Sequence, residues 1–98
     1  MKVRRADDNQ PAIVRLIRQM GASWQHTHTI PGALDGIIGY RGIDIRIEIK
    51  DGSKPPSRRK LTPEEQDTID EWRGRRPEII ETEADVIALF HRLNTGIS

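Results

Sequence analysis

Between Ile43 and Lys50 the chain alternates without a break: Ile43, Ile45, Ile47 and Ile49 against Asp44, Arg46, Glu48 and Lys50. Period two puts the isoleucines on one face of a pleated strand and the charges on the other. A helix would scatter the four isoleucines around its circumference, and β-branched side chains favour the pleat. A strand with one wholly apolar face must be covered on that face. With 98 residues, 35% hydrophobic and only 4% aromatic, the core is small and mainly aliphatic. A single sheet covered by two or three helices is what such a chain can build, as one domain over residues 1–98.

The helices are legible from stripes and caps. Ile13, Leu16, Ile17 and Met20 recur at i, i+3, i+4 and i+7. They predict a helix over 10–20 capped by Asp8 or Asn9, with Pro11 in its first turn and Gly21 as its stop. Thr62 followed by Glu65 is a capping box with Pro63 at N1. It predicts a second helix over 61–74, closed by Gly74, on a thin stripe of Leu61, Ile69 and Trp72. Thr82 with Asp85, then Val86, Leu89, Phe90 and Leu93, predict a third that ends at 94–96. Residues 22–29 and 34–40 read as short strands, the second joined to the alternating strand by a tight turn at Arg41–Gly42. Ile79 and Ile80, between turn signals, make a fourth strand over 77–82. Residues 1–8 are polar and expected to be loose, and Pro55–Pro56 is expected to keep its loop irregular. The order is α-β-β-β-α-β-α, a mixed sheet with helices packed on it.

Charged residues are 32% of the chain yet cancel to a net +1. A nucleic-acid surface therefore has to be a local patch, not a property of the whole molecule. The absence of cysteine excludes disulfides and thiolate metal sites. No apolar run approaches membrane-spanning length, and the basic Lys2, Arg4 and Arg5 have no hydrophobic segment behind them. Neither a membrane partner nor secretion is expected, and a soluble cytoplasmic protein is the default.

Chemistry concentrates on the charged face of the alternating strand. Glu48 and Lys50 are two apart and leave the same face, and Asp35 lies just upstream on the neighbouring strand. Two carboxylates from adjacent strands can converge on a hard cation such as Mg²⁺, and the carbonyl of Ile49, between Glu48 and Lys50, offers a further oxygen. A lysine beside that cation orients water and stabilises charge on a pentavalent phosphate. On spacing alone, the same residues read first as an exposed strand face with cross-strand ion pairs. His26 and His28 share a face, but no third His or Cys lies nearby to close a metal site, so they read as polar residues near a groove. His91 reads as solvated. Lys54, Arg58, Arg59 and Lys60 follow the strand directly, and Arg73, Arg75 and Arg76 follow the second helix. Such runs are solvated loops or phosphate-neutralising patches. Arg41 with Lys2, Arg4 and Arg5 extends the first patch, and Trp24 and Trp72 read as packing residues.

The run from Pro31 to Lys50, PGALDGIIGYRGIDIRIEIK, resembles the signature of the PD-(D/E)XK nuclease superfamily. That signature is a proline-led acid at the start of one strand, then acid-x-lysine on the next. The chain is more closely similar to small stand-alone VRR-NUC domains (virus-type replication-repair nucleases), encoded mostly by bacteriophages and bacteria. The stretches that carry the similarity are NQPAIV at 9–14, LDGIIGYRG at 34–42, EIKDGSKPP at 48–56 and KLTPEEQ at 60–66. The resemblance implies an α/β fold (α+β, mixed sheet) with a restriction-endonuclease-like αβββαβ core and an additional C-terminal helix. It implies Mg²⁺ or Mn²⁺ held by Asp35, Glu48 and the Ile49 carbonyl, with Lys50 as the catalytic lysine and Gln66 facing the catalytic centre. Gln10 stands where the superfamily often has a glutamate on the first helix. An amide ligates through its oxygen without adding charge, which leaves one metal or two open. Pro31 precedes Asp35 by four residues instead of adjoining it. The implied activity is metal-dependent, structure-selective DNA endonuclease chemistry, with the four-way Holliday junction as substrate and a homodimer for paired cuts. Lys54, Arg58, Arg59, Lys60 and Arg41 would then contact DNA. The alternatives are a less selective flap or nick nuclease, and a non-catalytic DNA-binding module that keeps the fold.

Overall fold

The alternating isoleucines become the strand around which the sheet is built. In the computed structural model, which describes residues 7–96, the elements are α1 (Gln10–Gln19), β1 (Ser23–His26), β2 (Gly36–Tyr40), β3 (Ile43–Ile49), α2 (Pro63–Glu71), β4 (Glu78–Ile80) and α3 (Glu83–Asn94). The sheet order is β1-β2-β3-β4. The first three strands are antiparallel and β4 runs parallel to β3, so the fold is α+β with a mixed sheet, as expected.

The two faces of β3 divide the molecule. Ile45, Ile47 and Ile49 are fully buried. With Trp24 and Ile38 they meet Ile13, Val14 and Ile17 of α1 and Val86, Leu89 and Phe90 of α3. Each isoleucine so buried contributes roughly 1.5–3 kcal/mol. The opposite face carries Arg46, Glu48 and Lys50 and is met by α2, whose one buried apolar residue is Ile69.

Local chemistry sets the ends of the elements. The β2–β3 turn has Arg41 at φ +49° and Gly42 at φ +81°, the left-handed pair of a type I′ hairpin. Gly36 is required by close approach: a Cβ there would enter the Trp24 ring and come within 2.7 Å of the Gln25 carbonyl. Both predicted capping boxes form, Thr62 with Glu65 and Thr82 with Asp85.

Four expectations are corrected. Asn9 is the N-cap residue of α1, but its side chain makes no cap. Its amide instead donates to the carbonyls of Lys50 (3.0 Å) and Glu81 (3.2 Å). The first strand stops at His26 because Thr27 turns inward, its Oγ1 donating to the Leu34 carbonyl at 2.7 Å. The second helix ends at Glu71, not Gly74: Trp72 adopts an extended ψ of 122° and takes the Arg46 guanidinium on its ring, 3.7 Å from the centroid. Pro56–Arg58 forms one 3₁₀ turn, since proline at its first position presets a helical φ and lacks only an N–H the turn does not use.

Candidate active site

The charged face of β3 comes to a point at its C-terminal end. Gly36 pairs with Ile47, so Asp35, one residue earlier, falls level with Glu48 on the same face. The Asp35 N–H donates to the Ile47 carbonyl at 3.0 Å, and its Oδ2 accepts the Ile49 N–H at 2.7 Å. The Ile49 amide N–H thus orients Asp35, which is separate from the metal-ligand role the resemblance implies for the Ile49 carbonyl. Asp35 and Glu48 are 5% and 1% exposed. Carboxylates are rarely buried unless they are held by partners of this kind.

Lys50 continues the same face and supplies the counter-charge. Its ammonium lies 2.7 Å from Glu65 Oε1 and 3.4 Å from Glu48 Oε2. Burial works against the Lys50 charge, but the hydrogen bond to Glu65 and the fields of Glu65 and Glu48 outweigh it and raise its pKa. Burial also opposes the Glu65 charge. Hydrogen bonding with Glu48, Lys50 and the Thr62 N–H prevails and holds the Glu65 pKa at about 2.

The N-terminal end of α1 closes the site from the other side. Asn9 ties it to the carbonyl that follows Lys50's side chain in the chain. Gln10, 3% exposed, is the next residue. Trp24 Nε1 donates to His26 Nδ1 at 3.0 Å, which makes that nitrogen an acceptor. The Gln10 atom 3.5 Å from it is then the amide nitrogen, and Gln10 Oε1 points elsewhere. Gln10 Oε1 and Asn9 Oδ1 are both buried with no hydrogen-bond partner among the described residues. Asp7 also belongs here. Burial raises its carboxyl pKa, Lys50 and Lys54 pull it down, and Asp35 and Asp51 push it up, so it lies within the field of Asp35 and Lys50.

The structure therefore brings together Asp35, Glu48, Lys50 and the start of α1 with Gln10. It does not bring in Gln66, which is exposed and donates to Asp70 at 3.0 and 3.1 Å. Its neighbour Glu65 takes the inward position, because Glu65 lies four residues before the buried Ile69 on the same helix face. Arg41 sits at the hairpin turn, over the Tyr40 ring. The length of β3, about 20 Å, separates it from Lys50. Of the basic loop, Arg58 and Lys60 are exposed and Lys54 is half-buried. Arg59 is engaged by Glu81 at 2.7 Å. Lys2, Arg4 and Arg5 lie outside the described residues. Sequence reasoning missed Glu65 and Asp7. In the sequence Glu65 reads as part of its capping box, and Asp7 as part of a loose tail.

Among the described residues, no three His, Asp or Glu side chains gather in a metal-ligating group. The donors present nonetheless suit a hard cation: two buried carboxylates, and two buried amide oxygens that lack donors. Mg²⁺ characteristically takes one or two carboxylates and completes its shell with water and substrate oxygens. No described helix is long and apolar enough to cross a membrane. In comparisons with known proteins, no family model, no curated protein and no solved structure matches the chain.

Proposed function

We propose that the chain is a metal-dependent, structure-selective DNA endonuclease, a Holliday junction resolvase acting as a homodimer. The observation that supports this reading is the burial of Asp35 and Glu48 at one end of the sheet, with Lys50 half-buried beside them. Burying two acids against the cost of desolvation, beside a half-buried base, is expensive for a fold that could have used isoleucine there.

In this reading Asp35 and Glu48 hold Mg²⁺ or Mn²⁺, with Gln10 Oε1 as a neutral oxygen beside them. When bound, the ion supplies Lewis-acid polarisation of a phosphate oxygen and activates the attacking water. The chain's own groups do the rest. Asp35 is fixed by the Ile49 N–H, so its carboxylate is oriented before substrate arrives. Lys50 keeps its proton and places a positive charge where negative charge builds on the oxygens of the phosphoryl group. Glu65 holds that ammonium in place. Cleavage would leave 5′-phosphate and 3′-hydroxyl ends. Lys54, Arg58 and Lys60 follow β3 directly and are placed to neutralise phosphates, which gives affinity without sequence choice. A second copy supplies the second cut that a junction requires, through a two-fold interface.

A labelled four-way junction, a flap and a linear duplex are incubated with the protein in Mg²⁺, Mn²⁺ or EDTA. Metal-dependent, paired cutting of the junction is expected. Binding without cutting under either metal overturns the enzyme reading in favour of a DNA-binding module. Equal cutting of all three substrates overturns the junction in favour of a less selective nuclease. A single 11.2 kDa species sedimenting with the DNA overturns the dimer.

A further inference from the structure

Of the two helices that border the site, α2 and α1 carry opposite charge. α2 reads PEEQDTIDE, five acids and no base. α1 reads QPAIVRLIRQ, two arginines and no acid. A polyanion leaving the site is repelled along α2 and attracted along α1. On the α1 side lies a groove against β1, lined by Gln10, Val14, Arg15, Arg18, His26 and His28 among others, with no carboxylate in its wall. We propose that this groove carries the phosphate backbone of the DNA away from the cleavage point, with Arg15 and Arg18 as its phosphate contacts. The proposal rests on the nuclease reading above.

Three observations support it. Arg15 and Arg18 are exposed and form no ion pair among the described residues. Arg59, Arg76 and Arg92, by contrast, each sit on an acid. The groove is also continuous with the site. Gln10 ends it at the first turn of α1, and His28 lines both this groove and the hollow against Glu65 and Leu34. Finally, its dimensions suit a strand. Gln10 to Arg18 spans eight residues, about 12 Å of helix, and Arg15 and Arg18, three residues apart, stand on neighbouring turns where they can meet successive phosphates of one strand.

The test is binding of a fluorescein-labelled four-way junction in EDTA, by anisotropy, over a range of salt concentrations. Each phosphate contact contributes about 0.9 to the slope of log affinity against log salt. Arg15→Gln and Arg18→Gln are surface changes, and each is expected to reduce that slope by about one. The double variant is expected to lose affinity about tenfold or more at 0.1 M salt. Arg15→Lys/Arg18→Lys should keep the slope. Arg92→Gln makes the same change of charge on α3, at an arginine already held by Glu78, and should leave it unaltered. A double variant that binds with wild-type affinity and slope overturns the groove while the nuclease reading stands. An equal loss with Arg92→Gln also overturns it, since the effect is then one of net charge. A wild-type chain that neither binds nor cuts the junction removes both readings together.

Discussion

One oxygen, Glu65 Oε1, accepts both the Lys50 ammonium at 2.7 Å and the Thr62 N–H at 2.9 Å. The capping box that starts α2 and the ion pair that fixes Lys50 are thus the same contact. The local signal that begins a helix also sets where the helix stands on the sheet, because its first turn is anchored to the end of β3.

The charge of Glu65 should therefore be visible in stability. Its folded pKa of about 2 lies below the ordinary 4.5. A depressed carboxyl pKa means stabilisation that is complete above pH 4.5 and lost as pH falls towards 2. Glu65→Gln keeps an oxygen for Thr62 but removes the charge. At neutral pH it is expected to cost about 1–3 kcal/mol. The gap between wild type and variant in urea unfolding should close progressively from pH 4.5 to about pH 2. A gap that persists at the acid end would show that the carboxylate charge is not what holds the contact.

Removing Lys50 tests the cluster from the other side. Lys50→Ala leaves Glu48 and Glu65 buried near one another without a counter-ion, a loss of roughly 3 kcal/mol. Lys50→Ala/Glu65→Gln should be less destabilised than the sum of the single changes, because the second removes a charge the first left unpaired. A double-mutant cycle by chemical denaturation gives the coupling, and strict additivity would refute it. Under conditions where circular dichroism shows Lys50→Ala folded, junction cutting should be lost and junction binding kept.

Why Asp35, Glu48 and Lys50 were legible and Glu65 was not has a physical reason. The strand residues are placed by period two, which leaves no freedom: once Ile45, Ile47 and Ile49 face the core, Glu48 and Lys50 must face away together. The orientation of α2 has no such constraint, since Ile69 is its single buried apolar residue. Glu65 and Gln66 are both one turn before Ile69, and about 100° of helix rotation separates them. The stripe was too thin to choose. Asn9 was misread for a related reason: a good cap residue at a helix start is ambiguous until the ends of β3 and β4 are known to lie beside it. Arg41 was misread because nine positions in sequence look close, whereas an extended strand makes them distant.

Away from Lys50, Arg41 has a conformational role that can be tested on its own. A non-glycine residue at φ +49° is strained by about 1 kcal/mol, and asparagine is the preferred residue before glycine in a type I′ turn. Arg41→Asn gives up a cation–π contact with Tyr40 worth about 0.5 kcal/mol at an exposed position. The net expectation is a gain of roughly 0.5 kcal/mol, seen as a higher denaturation midpoint with an unchanged m-value. A loss of stability would mean that the Tyr40 contact outweighs the turn.

Asn9 offers the sharpest contrast between a local and a tertiary reading. As a helix cap, asparagine and aspartate are nearly equivalent, and the negative charge would even favour the helix dipole. Asn9→Asp should then be neutral or stabilising. The structure gives the side chain a different task, donation from Nδ2 to the Lys50 and Glu81 carbonyls. Aspartate has no donor for either and would set a carboxylate oxygen against two carbonyl oxygens in a part-buried place. Asn9→Ala loses two hydrogen bonds, about 1–2 kcal/mol. Asn9→Asp loses them and adds repulsion, about 2–3 kcal/mol at neutral pH. The expected order of stability is therefore Asn, then Ala, then Asp, and protonation of the aspartate should narrow the last gap below pH 4. Thermal unfolding of the three proteins at pH 7 and pH 4 decides it, and an Asp variant as stable as the wild type would return Asn9 to the role of a helix cap.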